Sequence, residues 1–344
     1  MTASLKVIAP GLQTTVQDIG RIGHQRLGIP VSGALDTTAL RAANIVAGNA
    51  PGMAGLEMAM SGPTLEVMAD SVRVAVAGGT TELQIISDSG ETRRVPPLHS
   101  ARLVRGERIR IGGVAGSAVA YLAIEGGMDL PPFLGSLSTY VRGSFGGFEG
   151  RALREGDVLP LAAPGAVERS EVRLGGLELL PLARVRVVLG PQHDDFTAEA
   201  LERLVTTDYT VTREADRMGL RLAGAKLDHV KGHNIVSDGI APGAIQVPGN
   251  GLPIVLLADR QSTGGYPKIA TVASADLPGL GRVSPGARIR FEAVPVAAAE
   301  AARRELEGLI AGLAARLEAV GGDEIDPEKL MSHNLISGVV DGGG

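Results

Sequence analysis

Pro253-Ile-Val-Leu-Leu-Ala258, continued by Asp259-Arg-Gln-Ser-Thr-Gly-Gly-Tyr-Pro-Lys268, reads as a strand buried on both faces that opens into a paired-glycine turn. An apolar run this short, bounded by proline and turn residues, fits the interior of a β-rich core. The same device occurs earlier, where Ala120–Gly127 (AYLAIEGG) is again a buried strand running into Gly-Gly. A second correspondence links Gly150–Leu161 (GRALREGDVLPL) with Gly281–Phe291 (GRVSPGARIRF): a Gly-Arg, a short arm, a turn glycine and a closing strand. Gly106–Ile111 repeats the turn and strand once more, so that turn alone is not diagnostic. Two echoes at similar spacing predict a duplicated β-barrel unit.

Working outward, further strand patterns fall at Leu5–Ala9, Thr64–Val67, Val72–Ala77, Leu83–Ser87, Ile109–Ile111 and Val119–Ile124. Beyond a loose charged segment after Gly165 they resume at Val185–Leu189, Tyr209–Thr212, Ala244–Val247, Ile254–Ala258, Ile269–Val272 and Arg288–Glu292. Each is bounded by Gly, Pro, Asp or Ser, as in hairpins and meanders. Helices are few. Asp36–Gly48 carries an aspartate cap, an apolar stripe at Ala39, Leu40, Ala43 and Val46, and a terminal glycine. A second helix is expected over Asp194–Leu204, capped by Asp194 or Asp195. A third runs over Val296–Val320, rich in Ala, Leu, Glu and Arg and stopped by Gly321-Gly322. The expected division is a β-barrel domain over 1–180, a second over 181–295, and a C-terminal helix and polar tail over 296–344.

Composition narrows the chemistry. The 344 residues include 48 glycines and 20 prolines, which fits many tight turns, and no cysteine, which removes disulfides, thiolate metal sites and a cysteine nucleophile. A net charge of −5 with interspersed signs is not a nucleic-acid footprint. No basic region followed by an apolar stretch opens the chain, and no run of ~18 apolar residues occurs. No membrane association is expected, and the expectation is a cytoplasmic protein. G-x-x-x-x-G-K-[ST], G-x-S-x-G and H-E-x-x-H are all absent. Glu57-Met-Ala-Met60 has the look of a biotin-attachment turn without its lysine, so no covalently attached biotin is expected on this chain.

The densest polar cluster is the turn Asp259–Lys268. Glycine lets backbone N–H groups approach a carboxylate or phosphoryl group, Lys268 suits an anion, and Tyr266 can donate a hydrogen bond. The alternative is a tight turn with a packed tyrosine and a solvated lysine. Asp216-Arg-Met-Gly-Leu-Arg221 offers two arginines suited to a bidentate carboxylate, or else an Asp–Arg surface pair. Gln192-His-Asp-Asp195 combines imidazole and carboxylates but serves equally as a helix start; no metal site is expected. Gln17, Asp18 and Arg21 read as a buried hydrogen-bond network organising the first domain.

Together these segments resemble the KipA family, also called allophanate hydrolase subunit 2 or biotin-dependent carboxyltransferase-like. The resemblance is carried by APGLQTTVQDIGRIGHQRLGIPVSGALD, ALRAANIVAGN, Leu56-Glu57 and GSLSTYVRGSFGGFEGRALREGD in the first half. GPQHDDF, DRMGLRL, GAIQVPGNGLPIVLLADRQSTGGYPKIA (Gly243–Ala270) and MSHNLISGVV carry it in the second. Ser262 stands where the family pattern leads one to expect threonine, and the hydroxyl is retained. The resemblance implies a mainly β fold of two cyclophilin-like β-barrel domains with a few short helices and a C-terminal helix. It implies a 5-oxoprolinase subunit that works with a KipI-like subunit (allophanate hydrolase subunit 1) and a LamB/YcsF-like subunit. That assembly opens 5-oxoproline to glutamate using ATP, with Mg, supplied through the complex. On it, Lys268, Tyr266 and Asp259 are expected to be catalytic. Arg217, Arg221, Gln246, Thr263, Gly264 and Gly265 are expected to hold a small amide or lactam substrate. Two alternatives remain: a carboxyltransferase subunit of a urea-carboxylase-like system, and a regulatory partner of a KipI-like kinase inhibitor.

Overall fold

The structure is a computed structural model and describes residues 3–320. The motif MSHNLISGVV and the end of the expected tail lie outside the described residues. The first half folds as two antiparallel sheets around one core. Six strands, in the order Val158–Pro160, Ser4–Ala9, Thr64–Val67, Arg108–Ile111, Leu83–Ile86 and Thr92–Val95, form one sheet. The other runs Gln13–Gln17, Gly55–Ala59, Val119–Ile124, Ser71–Ala77 and Ser100–Val104. Alternate residues such as Leu5, Val7, Leu65 and Ile109 meet Leu56, Met58, Val74 and Leu122 between the sheets.

The five-stranded sheet is covered on its outer face as well. Ala75, Ala77, Tyr121 and Ala123 pack against helix α1 (Thr37–Ala47) through Ala39, Ala43 and Val46. Burial on both faces explains why Val119–Ile124 is apolar without alternation. Helix α1 has the expected ends: Asp36 accepts from the N–H groups of Thr38 and Ala39, and Gly48 takes the left-handed conformation.

The second half closes as a seven-stranded barrel. Its order is Arg184–Leu189, Lys268–Val272, Ala244–Gln246, Ile254–Leu256, Gly219–Ala223, Asp208–Val211 and Arg288–Ala293. The first and last of these pair in parallel and complete the ring. Val187, Tyr209, Leu222, Val255, Ile269 and Phe291 fill it, with Leu204 of α2 (Ala198–Thr206) and Leu280 of α3 (Leu277–Gly281) at its margins. The barrel is thus closed in the second half, whereas the first half divides its strands between two sheets.

Two helices differ from the sequence expectation. Asp194 and Asp195 do not cap α2; they sit in a separate 3-10 turn, His193–Asp195, and both pair with Lys231. Phe196 breaks the helical path in an extended conformation and buries its ring in the barrel core, so the cap passes to Thr197, which accepts from the Ala200 N–H. The C-terminal helix, α4 (Val296–Gly312), ends well before Val320. A 3-10 turn, Leu313–Arg316, buries Leu313 against the α1 cluster. Strand Leu317–Ala319 then pairs with Val172–Leu174, returning the chain to its first half. An edge strand in need of a partner and a buried leucine outweigh the helical propensity of an alanine-rich segment.

The halves meet along a close seam. A Cβ placed on Gly281 would collide with the Leu35 carbonyl oxygen, so only glycine lets α3 approach the start of α1. Beside it the Arg282 guanidinium grips Asp36 at 2.5 and 3.1 Å, and both side chains are buried.

Candidate functional site

A β-bulge opens the site. The register between Ala244–Gln246 and Lys268–Val272 shifts after Ile245, which sets Gln246 opposite Lys268. Gln246 is buried, and its Nε2 has no hydrogen-bond partner; its Oε1 accepts from Gln261 Nε2 at 3.4 Å. The turn keeps this amide clear, since a Cβ on Gly264 would stand 2.7 Å from Gln246 Nε2. Gln246 lines a cleft of about 700 Å³ together with Gln261, Tyr266, Arg221, Asp216 and Arg142, its Nε2 being shielded from solvent beneath the Gly264 turn. Arg142 comes from the first half and pairs with Asp216 at 2.8 Å. Arg221 is exposed, with Glu214 3.6 Å away as its weak counter-ion. A buried donor left unpaired in a concave polar site suits an oxygen acceptor on a small ligand.

Of the expected residues, the structure therefore brings Gln246, Arg221 and Tyr266 into one cleft. Lys268 stands beside them across the bulge, but its ammonium is buried and hydrogen-bonds Asp238 at 2.9 Å. That bond holds the Asp238 carboxyl below the usual carboxylate range. Gln192 spans the same pair, accepting from the Lys268 backbone N–H at 3.1 Å and reaching Asp238 at 3.4 Å. Thr263 and Gly264 form a short ladder with Asp238–Gly239, and the Gly265 carbonyl accepts from Ile235.

Arg217 and Asp259 lie elsewhere, in the seam between the halves. Arg217 donates to Asp259 at 2.8 and 3.1 Å, to the Gly33 carbonyl at 2.6 Å, and to Glu57. Glu57 in turn accepts from the Tyr121 hydroxyl at 2.6 Å and from the Leu35 N–H at 2.9 Å. Burial alone would depress the Arg217 pKa, but Glu57 and Asp259 outweigh it and raise it above the ordinary value. Burial, with Glu57 and Asp36 nearby, pushes the Tyr121 phenol well up, so it stays a donor. A guanidinium with its donors committed in this way is a structural tie, not a free clamp for a substrate carboxylate.

Several participants are not legible in the sequence. Asp238 carries no distinguishing pattern, while Gln192, Gln261 and Glu57 fall inside quoted motifs but are not marked there as partners of Lys268, Gln246 or Arg217. Arg260, within the quoted turn but given no role there, is pushed down to about 10 by burial, and it donates to the Ile240 and Leu257 carbonyls with no carboxylate partner among the described residues. Asp18 and Arg21 join one network through Ser138, while Gln17 is buried and donates separately to Thr15 and the Thr139 carbonyl. Asp18 accepts from Ser136, Ser138 and the Leu137 N–H, while Arg21 donates to the Phe133 and Ser138 carbonyls.

Replacing Gln246 with leucine tests the unpaired amide. Thermal stability is expected to stay within about 1 kcal/mol of the parent or rise, because a buried donor without a partner is removed. Ligand binding in the cleft should be lost, as read by calorimetric titration. A loss of several kcal/mol in stability would show instead that the amide is structurally committed.

Among the described residues no group of three or more His, Asp or Glu stands close enough to hold a metal ion. No described helix is long and apolar enough to cross a membrane.

Residues 27–293 match the carboxyltransferase domain family, subdomains A and B. The chain is 35% identical over 314 residues to the C component of the 5-oxoprolinase of Escherichia coli (strain K12), covering 91% of this chain and 98% of that protein. Among solved structures it is similar to the urea amidolyase of K. lactis, with a TM-score of 0.81 and 30% identity over 91% of this chain. It is also similar to TTHA0988, with a TM-score of 0.74 and 36% identity over 85% of this chain. It spans 20% of the urea amidolyase chain and 55% of the TTHA0988 chain.

Proposed function

The chain belongs to the carboxyltransferase domain family, subdomains A and B, and from that premise we propose that it is one of the subunits of an ATP-dependent 5-oxoprolinase, opening 5-oxoproline to glutamate. The observation that carries this reading is the unpaired Gln246 amide in a cleft that also holds Arg221 and Tyr266. End-to-end similarity to a 5-oxoprolinase component supports it. In this reading Gln246 Nε2 donates to the lactam carbonyl oxygen. Tyr266 supplies a second donor, and Arg221, exposed at the cleft, draws the anionic substrate to its entrance. Lys268 holds the substrate carboxylate beside the lactam carbonyl. Thr263, Gly264 and Gly265 shape the turn above them. Asp259 supports the cleft indirectly, through Arg217, by fixing the halves against each other.

The assembly is completed in the cytoplasm by a KipI-like and a LamB/YcsF-like partner, and Mg-ATP is assigned to those two chains. The structural likeness to urea amidolyase favours a second reading, carboxyl transfer onto a small amide, which would use the same carbonyl-facing donor. Co-expression with both partner types followed by a 5-oxoproline-dependent ATP hydrolysis assay separates them. Turnover should require all three chains, and Lys268→Ala and Tyr266→Phe should each lower kcat/KM by roughly 10²-fold, the usual cost of one oxyanion donor. Full activity in both variants would remove these residues from the site. Turnover with urea and a biotin carboxylase, but none with 5-oxoproline, would favour carboxyl transfer. Tight binding to the KipI-like chain without turnover of either would favour regulation.

A further inference from the structure

We propose that Lys268 is the anchor of a carboxylate-binding site whose present occupant is the protein's own Asp238, and that an anionic substrate enters by displacing Asp238 and the strap that carries it. The inference rests on the placement of Lys268 in the reaction centre proposed above. The strap is the segment 228–239, almost wholly exposed, with Val236 91% exposed. It crosses the paired-glycine turn and is tied down near Lys268 by few bonds. The Ile235 N–H donates to Gly265, the Ile240 N–H just beyond the strap donates to Ser262, and Asp238–Gly239 pairs with Thr263–Gly264.

The asymmetry of the ion pair is the main observation. The Lys268 side chain is 3% exposed, whereas that of Asp238 is 54% exposed. An ammonium has three donors, and the Lys268 ammonium makes one side-chain bond here, to Asp238. A buried lysine needs a counter-ion, but nothing in the barrel requires that ion to come from an exposed surface segment. Next to it the Gln246 Nε2 has no acceptor at all. A ligand bearing both a carboxylate and an amide carbonyl satisfies both groups at once: its carboxylate replaces that of Asp238, and its carbonyl oxygen pairs with Gln246. The 228–231 end stays anchored, through Arg203 to Asp228, Lys231 to Asp194 and Asp195, and the His229 ring to Phe196 and the Val247 carbonyl, so release is a local opening confined to 232–239 and does not require the barrel to unfold. The ligand class is a small carboxylate that carries an amide, distinct from a neutral amide, which could not displace Asp238.

Native-state hydrogen exchange on the full chain tests this through the Ile235 and Ile240 amides. In Asp238→Ala both should exchange roughly tenfold faster than in the parent while barrel amides are unchanged, since one charge-assisted tie is removed. In the parent, 5-oxoproline should accelerate the same two amides and 2-pyrrolidone, which lacks the carboxylate, should not. The variant should also bind 5-oxoproline more tightly than the parent, because the internal competitor is gone. The proposal is overturned if Asp238→Ala exchanges at the parental rate. It is equally overturned if the variant binds 5-oxoproline no better, or if the two ligands act alike. The first arm needs no ligand and no partner, so a 5-oxoprolinase assay that fails while the strap opens as described would sink the functional reading alone.

Discussion

Asp36→Ala should lower the stability of the protein by about 4–6 kcal/mol, the sum of a lost helix cap and a buried arginine left without its counter-ion. Asp36 has two tasks. Its Oδ1 accepts from the N–H groups of Thr38 and Ala39 at the start of α1, and both its oxygens meet Arg282 of the other half. Arg282 is buried and has one other acceptor, the Leu180 carbonyl at 3.1 Å. Removing the carboxylate therefore strands a desolvated guanidinium at the seam. Differential scanning calorimetry should show a large drop in Tm, with the amides of α1 losing exchange protection first. Asp36→Asn keeps much of the cap but not the charge, and should fall between the two. A loss below about 1 kcal/mol in the alanine variant would mean that the seam relaxes and rehydrates Arg282.

Arg217→Ala is the second large effect, expected at about 3–5 kcal/mol because it leaves Glu57 and Asp259 buried without a counter-charge. These two carboxylates come from opposite halves, so the loss should also loosen the joint, visible as splitting of one calorimetric transition into two. Removing all three charges together, as R217M/E57Q/D259N, should recover much of the loss, since a charge-free set of similar shape carries no unpaired ion. If the triple variant is as unstable as the single one, packing of the guanidinium stem, and not charge, is what the seam depends on.

Both pairs show where sequence reasoning stops. Asp36 is recognisable as a cap from its neighbours, because capping acts over three residues and leaves a local signature. Its partner Arg282 is 246 residues away. Nothing near either residue marks the other. Arg217 reads as a candidate clamp for a substrate carboxylate because an arginine at a turn offers that chemistry in isolation; its commitment to Glu57 is set by a contact 160 residues distant. The early end of α4 has the same origin, since the alanine-rich segment favours helix until Leu317–Ala319 finds the edge of Val172–Leu174.

The candidate site is more legible, and for a physical reason. Gln246 and Lys268 face each other on paired strands, and Tyr266 stands two residues before Lys268 in the loop that follows the buried strand Ile254–Leu256, so the strand–turn unit itself groups Tyr266 with Lys268. Local patterning by itself determined the mainly β architecture, most strand positions, helix α1 with both its ends, and this strand–turn unit. Those features depend on periodicity, capping and turn chemistry within a few residues. Only the tertiary structure decided which carboxylate meets which arginine, that the first half divides into two sheets, and that Asp238 covers Lys268. Each of those rests on burial between segments far apart in the chain. The free energy of such a pairing is the balance of a desolvation cost against Coulombic attraction and hydrogen bonding in a complementary geometry, and that balance exists only once the chain has folded.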